Sequence, residues 1–261
     1  MQEKTLPKPK IRTSNIHSSD FGSVSYDIFG SPYQKSGSFL ADDSLDFGYP
    51  ELRLERIRMK KCYQLCATNP KNSTLAICPP NNTIDYLDMY NYIVTNQKFP
   101  FDLKLTKSVL TSNGIRNEDN FSNLATTWFD IQYNEFAYNL FSERLKICID
   151  ANKTENDIFD WIKVNIQGIT ENKTFYIPFF TKLPNVLDEK NTKYSGSTII
   201  IPCFDSEKIS KYSIFPIRRI NWQVPTALYV SEKMKLAIQK EKFNNIKFEK
   251  SKTSINGIVV K

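Results

Sequence analysis

Few side chains in this sequence are able to do chemistry. One histidine, His17, occurs among 261 residues, and it lies in a loop-rich opening stretch. A two-histidine metal helix is therefore excluded, and a Ser-His-Asp or Cys-His arrangement would depend on a residue in a loop. Five cysteines, Cys62, Cys66, Cys78, Cys148 and Cys203, stand at irregular spacing. Cys62, Cys66 and Cys78 would offer zinc three soft ligands, with a fourth from Cys148, Cys203 or His17. The paired C-x-x-C spacing is missing, however, and buried, inert thiols are expected. The acidic cluster Asp42, Asp43 and Asp46 lacks the ligand spacing of a calcium loop and reads as a solvated acidic loop. None of the eight glycines falls in a G-x-G-x-x-G or G-x-x-x-x-G-K pattern, so there is no phosphate loop. The expectation is a non-enzyme with no catalytic residue, cofactor or metal.

What remains is recognition. Lys and Arg number 35 against 28 Asp and Glu, a net charge of +7. The bases concentrate in Arg53–Lys61 and Lys233–Lys252. Such runs attract an acidic protein or the phosphates of a nucleic acid. Aromatics interleave with bases in RRINW (218–222) and KKCYQ (60–64), as single-strand binders require. No RNP, zinc-finger or helix-turn-helix signature accompanies them. Lysines on solvated helix faces account for both runs as well.

The elements that would position these groups are announced by a repeat. FSERLKICIDANK (141–153) and VSEKMKLAIQKEK (230–242) share an apolar residue, Ser-Glu, a base, Leu or Met, Lys, an apolar residue, Cys or Ala, and Ile. Ser142 and Ser231 are N-cap residues, each with a glutamate following in the first turn, where it favours the helix dipole. Each helix should run toward a strand, Ile162–Ile166 and Ile246–Phe248. Two unrelated amphipathic helices with convergent caps would give the same pattern.

Elsewhere the chain reads as an α+β fold, with mixed or antiparallel sheet, a few peripheral helices and an internal helix–strand repeat. Residues 1–100 read as a loop-rich N-terminal region with short strands, and 101–261 as the α+β domain, the two possibly one continuous body. ELRLERIRMKKCYQLCAT (51–68) fits a strand or an amphipathic helix and is read as strand from Arg58 onward. DYLDMYNYIV is a strand or a helical turn, and PFDLKLTKSVLTSNGI a short helix capped near Thr106 and ended at Gly114. TTWFDIQYNEFAYN is read as a strand passing into a turn. WIKVNIQGITENKTFYIPFF reads as a hairpin with Glu171-Asn172 in its turn and Pro178 at an edge or a bulge. Trp128 and Trp161 are assigned to the core. The N-terminus, MQEKTLPKPKIRTSN, lacks the apolar core of a signal peptide, and no run approaches the ~20 residues of a membrane span. A cytoplasmic protein without membrane contact is expected.

The order NVLDEKNTKY (185–194), IIIPCF (199–204), SIFPIRR (213–219) and ALYVSEKMKLAIQKEKFNNIKFEK (227–250) resembles the bacterial immunity proteins of polymorphic toxin systems. The groups called immunity protein 11 and immunity protein 43 are the nearest in pattern. Those domains pair a strand with an x-V-x-D turn and close with a lyVSe-helix-x-G-x-x-F ending. The resemblance covers roughly residues 100–250 and is best in the last third. The family's Gly before the last strand is Asn244 or Asn245 here, and Asn tolerates the left-handed conformation that a helix end needs. The resemblance implies a protein that binds a cognate toxin domain and occludes its active cleft; a nucleic-acid-binding protein using its basic surface is the alternative. With a net charge of +7, the toxin's contacting face is expected to be acidic. Aromatic and arginine anchors are expected at Tyr26, Phe29, Tyr33, Phe39, Arg218, Arg219 and Trp222.

Overall fold

The computed structural model describes residues 60–260, apart from 69–72, 83, 112–113, 119–120, 122–123 and 125–126. In chain order the first half holds β1 (Cys62–Ala67), β2 (Thr74–Ile77), α1 (Tyr86–Asn96), β3 (Leu103–Thr111), β4 (Gly114–Glu118), β5 (Ile131–Gln132), β6 (Leu140–Ser142) and α2 (Glu143–Asn152). Next come β7 (Phe159–Gln167), β8 (Asn172–Phe180), β9 (Lys193–Ser195), β10 (Thr198–Ile201), β11 (Cys203–Asp205) and α3 (Ser206–Ile209). The last elements are β12 (Ile214–Phe215), β13 (Leu228–Ser231), α4 (Glu232–Lys240), β14 (Ile246–Lys250), β15 (Lys252–Ile255) and β16 (Ile258–Val260). The fold is α+β. One sheet runs β2-β3-β7-β8-β6-β5 with β4 beside β3, a second runs β12-β13-β1-β14, and a third runs β11-β15-β16. The β3–β7 and β11–β15 pairs are parallel and the other strand pairs antiparallel.

Both serine-led segments are helices. The Ser142 hydroxyl accepts from Leu145 N at 3.2 Å, and that of Ser231 from Met234 N at 3.2 Å. Each such cap contributes about 1 kcal/mol by satisfying an orphan donor of the first turn. β7 and β14 follow the two helices.

The repeat extends past the helices to their surroundings. Phe141 on β6 pairs with Tyr176 of β8 on one side and Ile131 of β5 on the other. Its counterpart Val230 on β13 pairs with Tyr63 of β1 and Ile214 of β12. In each unit the helix connects the two strands that flank a central one, β6 and β7 around β8, β13 and β14 around β1. The Tyr176 hydroxyl donates to Glu143 at 3.3 Å, and the Tyr63 hydroxyl to Glu232 at 3.3 Å. Lys146 sits 5.4 Å from the Tyr176 ring centre, and Lys235 lies 3.9 Å from that of Tyr63. Two helices that merely shared a cap would not share their cross-strand tyrosines.

The units also close each other's edges. After α2, the Asp157 carboxylate accepts from Ser213 N at 2.9 Å and Ile214 N at 3.3 Å, along the edge strand β12. After α4, Asn244 Oδ1 accepts from Asp130 N at 2.7 Å, and Asn245 takes Ile131 N at 3.2 Å and Ile131 O at 2.7 Å, along β5. An unpaired strand edge invites pairing with another chain, and here polar side chains occupy it. Asn245 has a φ of +51°, the left-handed conformation that the asparagine reading anticipated.

Leu145 and Ile149 of α2 meet Met234 and Ile238 of α4 in one core cluster, together with Phe141, Phe180 and Val230. A second cluster lies beneath α1, where Met89 and Ile93 pack on Leu103, Leu105, Ile162, Val164 and Ile177. β8 is therefore covered on both faces, which explains its unbroken apolar run Phe175–Phe180. Residues on either side of position 100 share these sheets, since β1 lies between β13 and β14 and β2 pairs with β3.

Several local expectations change. The segment read as a helix capped near Thr106 is strand β3, with Leu103 and Leu105 buried together on one face. The Thr106 hydroxyl donates to Leu75 O of the neighbouring strand at 3.3 Å and caps nothing. A short run such as LKLTKSVLT satisfies both periods, and its β-branched content favours the strand. DYLDMYNYIV resolves as helix α1, since Asp85 accepts from Asp88 N at 2.9 Å and Met89 and Ile93 share the buried face. In the β7–β8 hairpin Asn172 belongs to the strand, opposite Gln167. β8 is an internal strand, yet β6 pairs only with Phe175 and Tyr176, so Pro178 sits where that side of the ladder has ended. Arg58 and Met59, where a strand was expected to begin, lie outside the described residues, and β1 begins at Cys62, while Trp128 and Trp161 are half-buried against the two clusters.

Candidate functional site

Of the expected anchors, Tyr26, Phe29, Tyr33 and Phe39 lie outside the described residues, as do His17 and the Asp42, Asp43 and Asp46 cluster. Arg218, Arg219 and Trp222 come together on the loop between β12 and β13, bracketed by Pro216 and Pro225.

That loop is fastened from within. Asn221 is buried, and its amide donates to the Tyr86 hydroxyl of α1 at 2.7 Å. Burial holds the Tyr86 phenol above its usual pKa, with the Asn221 bond pulling the other way, so it is a neutral acceptor. Gln223 O accepts from Phe180 N at 2.8 Å, and its Oε1 from the Tyr90 hydroxyl at 3.3 Å. Pro225 O accepts from the Asn139 amide at 2.8 Å. A turn bond from Trp222 N to Arg219 O at 3.2 Å closes the tip. Trp222 packs against the cluster that α2 and α4 share, so it serves as a half-buried support. Arg218 and Arg219 are exposed, and Arg218 stands 3.8 Å from Glu189, an exposed pair worth little.

Between Arg219 and the buried Asn221 stands Ile220, 81% exposed, the most exposed large apolar side chain among the described residues. The sequence reading passed over it, although an isoleucine between an arginine and an asparagine inside a proline-bracketed loop has no apolar partner in its own segment.

Beside Arg218 lies a depression of about 240 Å³ walled by Leu183–Leu187 and Glu189. Its floor is the x-V-x-D turn. Asp188 accepts from the Ser254 hydroxyl, from Asn191 Nδ2 at 2.7 Å and from Lys190 N at 3.1 Å. The Ser254 and Asn191 bonds hold its carboxyl below the usual carboxylate range. Asn191 also donates to Gly257 O at 2.8 Å, tying this turn to the β15–β16 hairpin. Asp188 is thus the clasp of a turn.

A larger groove of about 730 Å³ opens where β1, β12 and the start of α4 meet, with Lys60, Lys61 and Lys233 on its walls. Cys62 lies in its floor. Burial pushes that thiol up to about 12, so at neutral pH it is protonated and a poor nucleophile. The other four cysteines are free thiols as well, each raised first by burial. Among the described residues no group of three or more His, Cys, Asp or Glu side chains is placed to hold a metal ion. No helix among them is long and apolar enough to cross a membrane. The described surface presents cationic side chains beside apolar ones. No family model and no curated protein matches this sequence.

Proposed function

We propose that this chain is an immunity protein, a noncatalytic binder that covers the active cleft of a cognate bacterial toxin domain in the cytoplasm. Ile220 carries this reading: it is 81% exposed beside two exposed arginines, on a loop that Asn221 and Gln223 pin to α1 and β8. A loop held in one conformation loses little entropy on docking, and arginine with a desolvated apolar anchor is the usual composition of an energetic centre. The resemblance of the VSEKMKLAIQK ending and the NVLD turn to immunity proteins supplies the role.

The partner's contacting face is acidic. Residues 1–59 carry eight basic and eight acidic side chains, so the whole +7 excess falls on residues 60–261. Like charges across an interface slow encounter and opposite ones steer it. In stopped-flow mixing with the toxin domain, the association rate should fall several-fold between about 10 and 150 mM salt, as the Debye length shrinks to ~8 Å. The dissociation rate should change less than about twofold. A salt-insensitive association rate would contradict the steering. Tighter binding to single-stranded nucleic acid than to any toxin would favour the nucleic-acid reading.

A further inference from the structure

The groove beside Lys60 does not stand alone. It shares Tyr212 and Phe215 with a small depression of about 40 Å³ that also borders Lys182 and Pro184. Pro184 in turn belongs to the 240 Å³ depression beside Arg218. The three adjoin in a row from Lys233 to Arg218. Every carboxylate on this row is already engaged: Asp157 by backbone N–H groups, Glu232 by the Tyr63 hydroxyl and Glu189 by Tyr194 and Arg218. Among the described residues Lys60, Lys61, Lys182 and Lys233 have no ion-pair partner. Between these cations Leu236, Tyr212 and Pro184 offer apolar surface, and Asn156 and Asp157 make the middle depression mixed. Leu236 is 58% exposed there, an apolar residue left facing solvent on α4.

We infer that this row seats an extended, acidic segment of the protein partner, its carboxylates on the four lysines and its apolar side chains on the apolar surface between them. The inference rests on the reading of this chain as a protein binder and adds to it the chemistry of the bound segment. Nucleic acid suits the row less well. Base stacking needs open aromatic faces, whereas Phe215 is fully buried and Tyr212 half-buried. An extended peptide presents side chains to alternate sides, which matches separated cations with apolar surface between them.

The probe is a fluorescein-labelled peptide of about twelve residues in which Glu alternates with Leu, followed by anisotropy. It should bind the full chain, and the triple variant K60E/K61E/K233E should weaken it at least tenfold, about the effect of removing 1.4 kcal/mol. The charge-matched variant K98E/K163E/K250E, altered on exposed lysines outside the row, should bind it as the wild type does. Both variants should melt within about 2 °C of the wild type, since surface substitutions are nearly neutral. Failure of the peptide to bind, equal losses in both triple variants, or tighter binding of a labelled single-stranded oligonucleotide would overturn the assignment. The two readings separate in a toxin assay. If K60E/K61E/K233E still inhibits the toxin at the wild-type concentration, the row is not the seat and the immunity reading stands. If the wild type inhibits no toxin yet binds the peptide in the row, the immunity reading falls and the seat remains.

Discussion

Asp157→Ala should melt about 6–12 °C below the wild type, a loss of about 3 kcal/mol. The Asp157 carboxylate accepts from Thr154 N at 2.7 Å, from Ser213 N at 2.9 Å and from Ile214 N at 3.3 Å, in a buried setting. Alanine leaves these donors without partners, and a buried unsatisfied N–H costs about 1–3 kcal/mol. It also uncovers β12, so the variant should aggregate more readily on heating. Asp157→Asn keeps one acceptor oxygen and should lose about half as much. Asp160→Ala, three residues on and solvent-exposed on β7, is the control and should stay within about 0.5 kcal/mol. A full-strength Asp157→Ala protein, by calorimetry or chemical denaturation, would show that the two units are not held through this residue.

The second large effect is on binding. The double variant R219E/I220D should lose on the order of 100-fold in affinity for the toxin domain while its melting temperature moves by less than about 2 °C. Both side chains are exposed and support no packing, so the fold has nothing to lose at the tip. Glutamate brings a like charge against an acidic partner, and aspartate removes the apolar anchor. The first change should act mainly on the association rate and the second on dissociation. Asn221→Ala separates the tip from its support. It leaves Arg219 and Ile220 in place and removes the bond to Tyr86, so any affinity loss reports the pinning of the loop. If R219E/I220D binds as the wild type does, the contact lies elsewhere on the protein.

The repeat was legible because its signal is local. A Ser cap, a glutamate in the first turn, and apolar residues at Leu145 and Ile149 or Met234 and Ile238 all fall within one helix. The same holds for the β7–β8 hairpin, whose alternation and turn are contiguous. The placement of β1 between β13 and β14 was not legible, because strand pairing across so much intervening chain leaves no mark in KCYQLCAT. Asp157, Asn244 and Asn245 looked like ordinary loop residues for a related reason. Their backbone partners lie in the other unit, and composition cannot announce that. β3 was misread where two periods coincide over a few residues. At the candidate site, the cationic and aromatic character of RRINW was legible from residue type, while the half-burial of Trp222 and the exposure of Ile220 were not. The tryptophan supports the loop and the isoleucine stands open, since burial depends on Asn221 reaching Tyr86.

The most direct test of the central claim measures the activity of the proposed cognate toxin domain, with the purified protein titrated in. The account predicts that wild-type protein abolishes that activity without altering toxin or substrate covalently, and that R219E/I220D needs on the order of 100-fold more to do so. Undiminished toxin activity in the presence of a large excess of the wild-type protein would contradict it.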